Sequence, residues 1–166
     1  MTETHPLPLH TVQIKKLKSL LAIVENSVKG GDNYLFRNLY AEEDGKEIDI
    51  LENGQNSCAA FVSWILLSLE LITHPHATVY STEKDLMASG WFEIKESKPG
   101  AVIIWDKMIG AMLGDKAVIH QHIGFCVSET EAISTKDGGF PWRHRITYNG
   151  TRKIEKIFWH TDLDKR

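Results

Sequence analysis

The chain has 166 residues, 42% of them hydrophobic and 25% charged, with a formal net charge of -3 and a pI near 6.2. That length and apolar content suit one domain, 1–166, with residues 1–10 as a flexible lead, and leave no room for two catalytic domains. The acidic balance lacks the basic stripe of a nucleic-acid partner, and two cysteines, Cys58 and Cys126, make no disulfide framework.

The opening residues show neither the basic nor the apolar stretch of a signal peptide, and no apolar run reaches the ~18 residues needed to span a bilayer. A soluble, cytoplasmic protein with no membrane partner is the expectation, with action outside the cell after lysis left open. Nothing in the sequence addresses the oligomeric state.

Val12 to Val28 carries Ile14, Leu17, Leu20, Leu21 and Val24 at helical spacing, with Lys15, Lys16 and Lys18 opposite, and Gly30-Gly31 ends that helix. Residues 32–50 hold Tyr34, Phe36 and Tyr40 and then an acidic turn, Glu42 to Gly45, which reads as a loop or a hairpin. Asn56 and Ser57, both good N-cap residues, precede an apolar run predicted to be helical from about Ser57 to Ile72. A short helix is expected from Ser81 through Met87. Strand-like segments follow at Trp91–Ile94, Ala101–Trp105, Ile119–Val127, Glu131–Thr135, His144–Tyr148 and Lys153–Trp159. Helices first and strands afterwards define an α+β chain with an antiparallel sheet.

Chemistry concentrates at two places. Cys58 falls in the first turn of the long helix, where unpaired N–H groups and the positive end of the dipole favour a thiolate and depress the thiol pKa. The plain alternative is a small residue buried beside Ala59 and Ala60. His122 lies on a strand whose period of two puts His120, His122 and Gly124 on one face, opposite Ile119, Ile123, Phe125 and Val127. The plain alternative there is a solvated strand. His120 and His122 could share zinc with Cys58, but the second Cys or third His of such a site is missing, so neither a metal nor a cofactor is expected. His144 and His160 read as surface or strand-end histidines, and Cys126 reads as core. Trp142, Arg143 and Arg145 read as a solvated strand end, with a groove for a carboxylate-bearing peptide as the alternative.

Four segments, Ser57-Cys58-Ala59-Ala60-Phe61-Val62, Lys98-Pro99-Gly100-Ala101-Val102-Ile103-Ile104-Trp105, His122-Ile123-Gly124-Phe125 and Ala132-Ile133-Ser134, resemble in order and spacing the NlpC-type branch of the papain-like cysteine peptidases and the related CHAP group. The resemblance covers about Asn56 to Thr135. It implies a papain-like fold, with a central Cys-bearing helix packed on an antiparallel sheet of about five to six strands and preceded by an N-terminal helix. It also implies amide hydrolysis, with a peptide or peptidoglycan fragment as substrate. Cys58 would be the nucleophile, with its own N–H in the oxyanion hole, His122 the general base, and Ser134, twelve places later, the catalytic residue that orients the ring.

The chain departs from that pattern at Ser57, where the family commonly has an acidic residue, at Ala101, where it has Asp, and at the neutral Ser134. Tyr34 is the remaining candidate for the family's oxyanion tyrosine. These departures leave a second reading, a peptide- or glycopeptide-binding module on the same fold that cleaves nothing.

Overall fold

The computed structural model describes residues 13–113 and 116–165; the expected lead at 1–10 lies outside them. Helix α1 spans Lys16–Asn26 and buries Leu20 and Val24, two members of the predicted stripe. It begins later than the periodicity suggests, and Ile14 remains 61% exposed ahead of it. The acidic turn is a hairpin tip: β1 (Tyr40–Glu43) pairs antiparallel with β2 (Lys46–Asp49) around Asp44 and Gly45.

Helix α2, Ser57–Ser68, is almost wholly buried on its apolar residues. It stops short of Ile72 because Glu70 turns into the left-handed region (φ 54°) and the Leu71 N–H bonds back to the Leu66 carbonyl at 3.0 Å, a Schellman-type end. Leu69, Leu71 and Ile72 are still buried, so the hydrophobic pattern outlasts the helix. Helix α3, Val79–Ala88, starts two residues before the predicted Ser81, since Thr78 is its N-cap and accepts from the Ser81 N–H.

The strands β3 (Phe92–Glu93), β4 (Val102–Leu113), β5 (Lys116–Cys126), β6 (Glu131–Thr135), β7 (Pro141–Arg145) and β8 (Ile154–Trp159) form a six-stranded sheet in the order β3-β8-β4-β5-β6-β7. Every pairing in it is antiparallel. Strand β4 runs well beyond the predicted Trp105, passing register shifts after Trp105 and after Ile109. Strand β7 ends at Arg145 rather than continuing to Tyr148. It starts at Pro141, which the edge position tolerates because no outer strand among the described residues needs its missing N–H.

Helix α2 lies across β5 and β6, with Phe61 edge-on to Phe125 at 5.7 Å. On the sheet face that α2 covers, Ile104, Ile123, Phe125 and Ile133 pack with Phe61, Val62 and Leu66, while Ile103 and Trp105 are buried on the other face. Cys126 is buried there as expected, its thiol donating to the Ser128 carbonyl. The chain is thus α+β, with three helices, the six-stranded sheet and the two-stranded hairpin among the described residues. None of the described helices is long and apolar enough to cross a membrane.

Candidate active site

The N-terminus of α2 carries Cys58, half-buried, over β5. The Asn56 side chain makes no capping bond and the buried Ser57 hydroxyl has no partner, so neither of the predicted caps engages the first-turn N–H groups. The N–H groups of Ile123, Ala59 and Cys58 itself, together with the Arg152 guanidinium, favour a negative sulfur. Burial opposes them and prevails: the thiol is pushed up from its ordinary pKa. This corrects the expectation from the helix end alone, which predicts a depressed value. The dipole acts on a sulfur packed against the core, where desolvation outweighs it.

His122 extends from β5 opposite Trp105 in the β4 register, their rings 5.7 Å apart. Its Nε2 lies 2.9 Å from the Ser134 Oγ. Gly124 permits that approach, because a Cβ there would meet the Ile133 carbonyl and the Ser134 Cβ at 2.7 Å each. Desolvation, reinforced by the nearby positive charge of Arg152, lowers the His122 pKa to about 3. The ring is therefore neutral near pH 7. Among the described residues no hydrogen bond joins the Cys58 sulfur to His122, although the neighbouring Ile123 N–H faces that sulfur. His122 and Ser134 are thus in direct contact, with Cys58 beside the same stretch of β5.

Ser134 is fully buried and its Oγ also lies 2.9 Å from His144 Nε2 and 2.9 Å from the Tyr148 hydroxyl. His144, next to the end of β7, is 7% exposed, which corrects its reading as a surface histidine, and its ring stacks on Tyr148 at 4.0 Å. Burial lowers the His144 pKa and raises that of Tyr148 to about 12. Arg152, its side chain 14% exposed, donates to the Asp106 and His120 carbonyls and fixes a positive charge near Cys58, His122 and Tyr148.

Sequence reasoning missed His144, Tyr148 and Arg152. For two of them a signal exists: Trp142, His144, Ile146 and Tyr148 alternate with the exposed Arg143, Arg145 and Thr147, so period two turns the first set inward. Arg152 follows a tight turn and reaches the site through tertiary contacts alone, with no local pattern to announce it.

Other candidates take structural places. His160 accepts from the Asp162 N–H and bonds the Ser89 carbonyl, joining the last turn to α3. Arg143 pairs with Glu25 and Glu131. Tyr34 is 59% exposed and packs edge-on against Phe140. Among the described residues no three His, Cys, Asp or Glu side chains converge as metal ligands would. Comparisons with protein-family models, curated proteins and solved structures returned no match.

Proposed function

We propose that this chain is a papain-like cysteine hydrolase that cleaves an amide bond, with a peptidoglycan-type peptide as the substrate class. Support comes foremost from the hydrogen-bonded assembly of the buried Ser134 and His144 and the half-buried Tyr148 behind His122, next to a thiol at a helix N-terminus. Placing four polar side chains in and against the core is expensive unless each is hydrogen-bonded, and here three bonds converge on the Ser134 hydroxyl, which contacts the His122 ring directly.

In this reading the resting pair is neutral thiol and neutral imidazole. As substrate enters, the S–H bond breaks, the proton moves to His122, and the sulfur electron pair forms the bond to the carbonyl carbon. The N–H groups at the start of α2 face the developing oxyanion, and His122 then returns the proton to the departing amine. Water hydrolyses the resulting thioester.

The test is mass spectrometry of peptidoglycan fragments incubated with the protein. Amide-cleavage products are expected, falling at least ~1000-fold in Cys58→Ala and in His122→Ala. The second reading, a binding module, draws on the raised Cys58 pKa and the absence of a sulfur–imidazole hydrogen bond. Saturable fragment binding without product would establish it instead.

A further inference from the structure

The three bonds at Ser134 have only one arrangement of protons that satisfies all of them. His144 Nδ1 lies 2.9 Å from the Arg145 carbonyl, and a carbonyl oxygen only accepts, so Nδ1 carries the hydrogen. Burial keeps His144 neutral, which leaves its Nε2 as a bare acceptor. Among the described residues the only donor facing that nitrogen is the Ser134 hydroxyl, at 2.9 Å, whose single proton is thereby committed. Its two lone pairs must then receive the Tyr148 O–H and the His122 Nε2–H. The hydroxyl is saturated, with one bond donated and two accepted.

We infer that His144, anchored by the Arg145 carbonyl, is a positioning residue that dictates the tautomer of His122 through the Ser134 hydroxyl, holding it as the Nε2–H form with Nδ1 as its basic nitrogen. The inference rests on the reading of His122 as the general base, since Nδ1 is then the atom that takes the Cys58 proton. A serine alone would not impose this choice. Its hydroxyl can turn to donate to His122 Nε2, which would move the ring proton to Nδ1 and leave no base toward the sulfur. His144 removes that option by occupying the serine proton.

Long-range proton–nitrogen correlation NMR of the histidine rings, at neutral pH on the whole chain, decides the matter. In the wild type His144 is expected as the Nδ1–H tautomer and His122 as the Nε2–H tautomer, each as a single species. His144→Phe keeps a ring against Tyr148 but offers no acceptor, and should cost His122 its single tautomer, with Nδ1–H appearing. His144→Gln, which can place an amide oxygen near the lost Nε2, should restore Nε2–H.

A wild-type His122 carrying its proton on Nδ1 overturns the inference whether or not any variant folds, and so does an unchanged His122 signal in a folded His144→Phe. The readout is independent of turnover. A protein with the expected tautomers that yields no product from wall fragments leaves the inference standing and removes the hydrolase reading alone.

Discussion

Beneath the larger effect of burial, Arg152 biases several groups of the site at once. Its guanidinium favours the thiolate of Cys58 while disfavouring the imidazolium of His122 and of His144. Replacing it with methionine should raise the Cys58 pKa and slow iodoacetamide alkylation at pH 8 about threefold or more, since half a pKa unit already changes the thiolate fraction by that factor. The alkylation rate against pH, compared with wild type, measures it. An unshifted profile would mean that the charge is screened from the sulfur. Cys58 and His122 were legible in the sequence because a helix start and a strand face are local patterns. Arg152 was not, because its influence is a matter of distance in space.

At the level of elements, the site depends on how closely β5 and β6 approach, and Gly124 governs that. Opposite Ser134 in the register, it leaves the space in which His122 and Ser134 meet under the Trp105 ring. Gly124→Ala should destabilise the protein by about 2 kcal/mol or more, as expected for a methyl forced into a packed interior, and should break the His122–Ser134 bond. Urea unfolding measures the first effect and the ring NMR signal of His122 the second.

The segments of β5 and β6 and the start of α2 were readable from alternation and apolar spacing, whereas the register that pairs the two strands was not. The early end of α2 at Ser68 was not, because Leu69, Leu71 and Ile72 stay in the core after the backbone has turned. Hydrophobic spacing reports burial, and burial continues where helix does not.

For the whole molecule, the buried imidazoles tie stability to pH. His122 has a folded pKa near 3, well below the ordinary value of 6.5, so in acid the unfolded chain takes up a proton that the folded chain refuses. Its contribution is complete above about pH 6.5 and is lost as the pH falls from there toward 3; His144 acts in the same direction. Urea unfolding at pH 7 and pH 5 should show a loss of about 2 kcal/mol, much of it absent in a folded His122→Phe variant.

At still lower pH the carboxylates add to the loss. Burial works against the charge on Asp85, but the His76 ring and the Ser89 and Thr73 groups outweigh it and hold its pKa well below the usual range. Asp162 is lowered to about 2 by Lys165 and Lys16. Stability that these ions confer disappears as they protonate below about pH 3.8.

The order of the main helices and sheet strands, the antiparallel character of the sheet, and Cys58 and His122 as candidates were readable in the sequence alone, because apolar spacing and strand alternation act over a few neighbouring positions. Only the tertiary structure decided the protonation of the site. Whether the thiol is raised or lowered depends on how far burial outweighs the helix end, and which nitrogen of His122 bears its proton depends on His144, itself fixed by the Arg145 carbonyl, and Tyr148 converging on Ser134 from a strand and a turn further along the chain. Solvation and hydrogen-bond direction belong to the assembled molecule, since they are properties of atoms that only folding makes neighbours.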